Sequence, residues 1–352
     1  MGARIYARMT LDDCRTIAFM VLVSMLTNGG ASPPMGVNTL LSASDVGSLS
    51  FYSAGTLIST SEGRFVPDSA VMLTGDLQIP EGPGPFPAVI LAHGCGGVGY
   101  AEPTWVSLLN EWGYATFVVD SFKGRGISEV CTDARRLNAT QRIPDAYGAL
   151  RILATHPRIA PDRIALMGFS HGGVLALRAA TVWAQETYAT SHTPSLRAFF
   201  AFYPYCNTQF PEQQHISAPL RVHTGALDNW TPASACEELV ASLKASGHDA
   251  AITLYPGAHH GFDILLPVMH IPGVENRAAC RPRIDHILDS ISPASISDCV
   301  TKGATLGRNT EALEQAKAQL RAELETLVKK VGIPSLPRVT ETLPFSLYAG
   351  TK

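Results

Sequence analysis

Ser170 stands in the run Gly168-Phe169-Ser170-His171-Gly172, between an apolar stretch (RIALM, residues 163–167) and an alanine-rich one (GGVLALRAA). A serine hydroxyl becomes a nucleophile only when a base takes its proton, and an acid must hold that base in the right tautomer. A G-x-S-x-G run between a strand and a helix supplies the first part. The turn is sharp enough to push the Ser170 hydroxyl out of the sheet, and the following helix aims its free N–H groups and positive dipole end at the site. In that arrangement the acid and then the histidine follow the serine along the chain. Asp228, in LDNWTP just past the run LRVHT, is the expected acid, with Asp249 and Asp263 as competitors. Thr231 is expected to cap the helix that starts near Pro232.

The base is one of two adjacent histidines in Pro256-Gly257-Ala258-His259-His260-Gly261-Phe262-Asp263. Neighbouring side chains diverge, so only one can face Ser170. His260 is preferred because the glycine after it lets the loop turn at once, and His259 is then left to line the pocket or meet solvent. The two backbone donors for a developing oxyanion are expected from His171, the residue after the nucleophile, and from Cys95 in the glycine-rich HGCGG loop. No metal-ligand spacing is present, so no metal is expected.

These residues need a scaffold that gathers strand ends. Short apolar runs at 88–92, 114–119, 163–167, 197–202, 220–224 and 251–255 alternate with helical stretches at 102–111, 144–155 and 172–184. Strand and helix in alternation predict an α/β fold: a mostly parallel sheet with helices on both faces and functional groups at the carboxyl ends of its strands. A further amphipathic helix is predicted over 310–330. Tyr100, Phe122, Arg125, Tyr203, Trp230 and Phe262 all lie near strand ends and are candidate pocket residues, with His259 beside them. Arg125 either binds a substrate carboxylate or, on the plainer reading, pairs with Asp120 or braces its loop.

With 27 Lys and Arg against 30 Asp and Glu, the formal charge is −3. Such a balance excludes nucleic acid as a partner and fits a surface admitting a small neutral ester. Hydrophobic residues make up 46% of the chain, enough for a large core. Arg4, Arg8 and Arg15, the apolar run 17–26 and the small residues 29–32 read as a secretory signal peptide over residues 1–31, cleaved near Ala31. Export to the periplasm or medium is therefore expected, with no stable membrane anchor after cleavage. Residues 32–50 read as a loose N-terminal segment, 51–330 as one domain and 331–352 as a tail. The sequence is silent on oligomeric state.

The segments PFPAVILAHG (85–94), DSFKGRG (120–126), GFSHGG, LDNWTP and YPGAHHGFD together resemble the dienelactone hydrolase-like branch of the α/β-hydrolases over roughly residues 50–330. The resemblance implies an eight-stranded sheet and hydrolysis of carboxylic esters through an acyl-enzyme, without metal or organic cofactor. Two features depart from that pattern. The family's namesakes use a cysteine nucleophile where this chain has Ser170. In addition, residues 264–309 form an insertion between His260 and the last helix, either a lid or rim for the pocket or a passive surface excursion. Cys206–Cys236 and Cys280–Cys299 are the candidate disulfides, leaving Cys95 and Cys131 reduced or paired with each other. Two other readings share the elements: a serine peptidase of the prolyl oligopeptidase type, and a binding protein on a hydrolase fold that has lost catalysis.

Overall fold

The computed structural model describes residues 39–53, 57–59, 65–67, 70–190 and 194–329. The expected signal peptide and the 331–352 tail lie outside the described residues. Eight strands form one sheet: β1 (Gly47–Tyr52), β4 (Met72–Gln78), β5 (Phe86–Ala92), β6 (Ala115–Asp120), β7 (Ile159–Phe169), β8 (Phe199–Phe202), β9 (Leu220–Gly225) and β10 (Ala250–Tyr255). Two short strands, β2 (Leu57–Ser59) and β3 (Phe65–Pro67), pair separately. The sheet order is β1-β4-β6-β5-β7-β8-β9-β10. From β6 to β10 every pairing is parallel, while β4 runs antiparallel to both β1 and β6.

Alternation along β5 shows how the sheet buries both faces. Ala88, Ile90 and Ala92 join one core cluster, whereas Val89 and Leu91 join the other. The first cluster is covered by α2 (Ile143–Leu153), α3 (His171–Ala179), α4 (Val182–Tyr188) and α5 (Ala233–Ala245). On the opposite face lie α1 (Glu102–Glu111) and α7 (Thr310–Leu324), with Leu313, Ala316, Leu320 and Leu324 forming the predicted apolar stripe. Between β10 and α7, residues of the insertion form β11 (Met269–Asn276), α6 (Pro293–Ile296) and β12 (Thr301–Leu306), with β11 and β12 paired antiparallel.

Three local expectations change. Gly47–Ser50, assigned to the loose N-terminal segment, open β1 and pair with β4. Alternating burial along β4 is a strand signature that the reading of this region overlooked. The single helix expected over 172–184 is two helices. Thr181 is extended there, its hydroxyl donating to the Arg178 carbonyl at 2.8 Å and accepting the Ala184 N–H at 3.1 Å, so it ends α3 and caps α4. The last helix is regular only to Leu324, and Glu325–Lys329 continue it as a π-type turn.

Both candidate disulfides are formed, Cys206–Cys236 and Cys280–Cys299, and Cys95 pairs with Cys131. Cys206–Cys236 joins the loop after β8 to α5 across 30 residues. Loop-closure entropy for a ring of that size stabilises the fold by about 3.5 kcal/mol. The double variant Cys206→Ala/Cys236→Ala should lower the urea unfolding midpoint accordingly, and an unchanged midpoint would contradict this. Among the described residues no helix is long and apolar enough to cross a membrane.

Candidate active site

Parallel pairing brings five strand ends into register along one edge of the sheet. Ala92 pairs with Gly168, Phe169 with Phe202, Phe202 with His223, and Gly225 with Tyr255. The residues just beyond these ends are His93, Ser170, Tyr203, Asp228 and His260.

Ser170 occupies the turn between β7 and α3 with φ 52° and ψ −111°, a left-handed conformation that L-residues rarely adopt. Its N–H donates to the Phe202 carbonyl at 2.9 Å, and its carbonyl accepts the Val174 N–H at 2.9 Å. These bonds fix the strained residue from both sides. Gly172 makes the turn possible, because a Cβ there would run into the carbonyl oxygens of Ala92 and His93.

His260 Nε2 lies 2.9 Å from Ser170 Oγ, and His260 Nδ1 lies 2.8 Å from Asp228 Oδ2. Both His260 and Asp228 are buried. Asp228 Oδ1 accepts the N–H groups of Trp230 and Thr231 at 2.9 and 2.8 Å. With that carboxylate held on one side, Nδ1 of His260 carries the proton and Nε2 faces Ser170 as an acceptor. Thr231 does not cap α5, whose N-cap is Pro232. Its hydroxyl sits instead 2.9 Å from Asp228 Oδ2 and 3.0 Å from the Tyr203 carbonyl, bracing the carboxylate. The competing acids are occupied elsewhere: Asp249 pairs with Arg221, and Asp263 is fully buried between Trp105 Nε1 and the Tyr203 hydroxyl, each at 2.6 Å. Burial raises the Asp263 carboxyl, against the lowering pull of those two donors.

Behind Ser170 the imidazoles of His93 and His171 are held neutral. Burial, together with the Arg142 guanidinium, holds each well below its ordinary value. Arg142 Nη1 donates to the His93 carbonyl at 2.9 Å and lies 2.8 Å from His171 Nδ1. His171 therefore turns its ring inward. The N–H groups of Cys95 and His171 donate to no acceptor among the described residues, and both residues line the cavity at Ser170.

The pocket candidates divide. Tyr100, Tyr203 and Trp230 line the space around Ser170, and the Trp230 and Tyr203 rings each lie 4.8 Å from the His260 ring. Phe122, Phe262, Arg125 and His259 do not. Phe122 packs with Val130 and Leu137 under the edge of His93. Phe262 is fully buried against Phe202, Tyr203 and Tyr255. Arg125 pairs with buried Asp145 through both terminal nitrogens, at 2.9 and 2.8 Å, and not with Asp120, which caps its own turn. His259 points away, its Nδ1 donating to the Leu227 carbonyl at 3.0 Å.

Segment 264–309 is no passive excursion. Ile264, Leu266, Ile271, Val274 and Leu306 form one wall of the pocket. It is tied to the acid loop by the Trp230 indole N–H on the Glu275 carbonyl at 2.8 Å and by Asn276 Nδ2 on the Asn229 carbonyl at 3.0 Å. The N–H of Glu275 also reaches the Cys131 carbonyl at 3.0 Å. The sequence reading passed over Arg178, which lines a neighbouring chamber at Ser170 from α3. A lone arginine in an alanine-rich helix gives no signal of an inward position.

Residues 73–280 match the model of the dienelactone hydrolase family. A curated relative from a Bradyrhizobium species, "Probable 2-oxo-3-(5-oxofuran-2-ylidene)propanoate lactonase", is 25% identical over 130 residues, which is 34% of this chain and 48% of that protein. The chain thus spans about half the length of the relative it matches. Among solved structures, the dienelactone hydrolase-like promiscuous phosphotriesterase P91 from metagenomic libraries is similar with a TM-score of 0.51 at 16% identity, covering 80% of this chain and 99% of that one. Thermogutta terrifontis esterase 2 phosphoramylated by tabun is similar with a TM-score of 0.50 at 16% identity, over 73% and 89% of the two chains.

Proposed function

The chain belongs to the dienelactone hydrolase family, and on that footing we propose that it hydrolyses carboxylic esters through an acyl-enzyme on Ser170. The reading is carried by one observation: the unbroken line from Ser170 Oγ to His260 Nε2 and from His260 Nδ1 to Asp228, at 2.9 and 2.8 Å. In this mechanism His260 takes the serine proton as Oγ attacks the ester carbonyl. The imidazolium that forms keeps its Nδ1–H on Asp228, whose charge stabilises it. The oxyanion settles on the N–H groups of Cys95 and His171, and the strained turn at Ser170 holds the second donor ready. His260 then gives its proton to the leaving alcohol. A water, deprotonated by the same Nε2, releases the acid.

The protein is further proposed to act outside the cytoplasm. Three disulfides fit an oxidising compartment, and the N-terminal segment has the make-up of an export signal.

A fluorophosphonate probe tests the nucleophile, since such reagents phosphonylate only an activated serine. The wild type should label stoichiometrically and turn over 4-nitrophenyl acetate, and Ser170→Ala should do neither. Absence of labelling in a folded wild type would favour a non-catalytic binding role. Labelling with turnover of peptide amides but not esters would favour the peptidase reading.

A further inference from the structure

Ser170 sits at the junction of two chambers, both largely apolar, of which only one carries a cluster of charged and polar side chains. One, of about 140 Å³, has an apolar wall of Tyr100, Ile264, Leu266, Ile271, Val274 and Leu306, and it includes His260. The other, of about 160 Å³, presents Asn138, Arg178, Tyr205, Thr208, Glu275 and Arg277. It opens into a cleft of about 420 Å³ that shares Asn138, Arg178, Glu275 and Arg277. Ser170, Trp230 and the Cys95–Cys131 disulfide belong to both chambers and form the partition.

Arg178 stands apart from the other cations near this cleft. Arg277 pairs with Glu275, and Arg135 pairs with Asp133. Arg178 is only 8% exposed, yet among the described residues it makes no ion pair. Its partners are the Thr140 hydroxyl and the ring of Phe210, 5.3 Å from the guanidinium carbon. Burial pushes the guanidinium down to about 10, so it stays charged at neutral pH. A desolvated cation without a counter-ion is unfavourable unless something supplies the missing charge.

The two chambers assign the two halves of an ester. The leaving alcohol takes its proton from His260, which lines only the apolar chamber, so the alcohol departs on that side. The acyl half then extends along α3 toward Arg178. Resting on the ester-hydrolase reading above, we propose that the substrate is an open-chain half-ester: an apolar alcohol in the 140 Å³ chamber and an acyl group ending in a carboxylate that pairs with Arg178. A lactone holds both halves in one ring and would leave one chamber empty. The half-ester also departs from the small neutral ester suggested by overall charge, because net charge sums the whole surface and Arg178 is a local one. Eight residues of helix separate Arg178 from Ser170, about 12 Å along the axis, and helical side chains lean back toward the N-terminus. An acyl chain of about six carbons spans the remaining gap.

Mono-4-nitrophenyl adipate and its neutral methyl ester differ only in the terminal charge. The wild type should prefer the charged ester at least tenfold in kcat/KM, with the difference in KM. Arg178→Gln should bring the ratio to about one, and Arg178→Lys should keep part of it. Adipate should inhibit the wild type competitively and at least tenfold more tightly than dimethyl adipate, which competes only as a neutral ester, an outcome that needs no variant to fold. A wild-type ratio near one, a ratio that survives Arg178→Gln, or equal inhibition by the two adipates would overturn the proposal. Turnover of 4-nitrophenyl acetate separates the two levels. If acetate is cleaved without any charge preference, only the half-ester assignment fails; if nothing is cleaved or labelled, the hydrolase reading fails with it.

Discussion

His260→Ala should lower kcat on 4-nitrophenyl acetate by roughly 10⁴- to 10⁶-fold, the range seen when a base that acts as a unit with its nucleophile is removed. His259→Ala should change it by no more than about twofold. The two residues are adjacent, so any general disturbance of the loop would affect both variants alike. What separates them is direction. His260 faces inward between Ser170 and Asp228, whereas Nδ1 of His259 donates to the Leu227 carbonyl on the other side of the chain. The register of the loop is set from outside it. The carbonyl of His260 accepts the Gly307 N–H at 3.0 Å, and that of Phe262 accepts the Asn309 N–H at 2.9 Å. Asn309 Nδ2 reaches back to the Gly257 carbonyl at 3.0 Å. Steady-state rates on the two purified variants decide the matter, and a large loss in His259→Ala with activity kept in His260→Ala would reverse the assignment.

Gly172→Ala is expected to cost about 3 kcal/mol or more of stability, through backbone overlap that no side-chain rotation can relieve. The first turn of α3 passes directly over the end of β5, and the added methyl would meet the Ala92 carbonyl and lie 2.7 Å from that of His93. The Ala92 oxygen belongs to a central strand and that of His93, just beyond it, is held by the Arg142 guanidinium at 2.9 Å, so neither can retreat. If the variant folds, the turn must lift away from the sheet and carry Ser170 with it, and a shift of 1 Å at a nucleophile costs about 10²-fold in rate. Thermal unfolding and kcat should therefore fall together. Gly273→Ala is the matched control, with open space around the new methyl in β11; it should stay within about 0.5 kcal/mol of the wild type. Equal stabilities of the two variants would disprove the overlap argument.

Those parts of the site that depend on local chain were legible in the sequence. A glycine-flanked serine between an apolar run and an alanine-rich one specifies its turn within a dozen residues. Strand ends carrying Asp228 and His260 follow from parallel alternation. What failed depends on partners distant in sequence. Arg125 does brace its own loop, through the Ser121 carbonyl at 2.7 Å, but its ion pair is not with Asp120, five residues away; it is with Asp145, twenty residues on, at the buried end of α2. Phe122 and Phe262 have the composition of pocket aromatics, and only packing shows that they face the core. Arg178 was invisible for the converse reason, because helix periodicity says which face an arginine is on but not that the face borders a cavity. At the N-terminal side, Leu73 and Leu77 alternate as in any half-buried strand, but Gly75 interrupts the apolar pattern where the Phe117 ring fills its place.

The wall formed by residues 264–309 is joined to the rest by bonds that use none of its own apolar side chains: the Glu275 N–H to the Cys131 carbonyl, the Trp230 indole N–H to the Glu275 carbonyl, Asn276 Nδ2 to the Asn229 carbonyl, and the Gly307 N–H to the His260 carbonyl. Bond-making and choice of substrate thus sit on different stretches of polypeptide. Ser170, Asp228 and His260 ride on the ends of the central sheet, whereas Ile264, Leu266, Ile271 and Val274 belong to a separate segment, the last two in its own strand β11, whose attachment uses none of them. Selectivity in this protein is therefore interchangeable in a modular sense. On the proposed mechanism, the segment's apolar side chains can be enlarged, trimmed or replaced to admit a different alcohol while Ser170, His260 and Asp228 stay as they are.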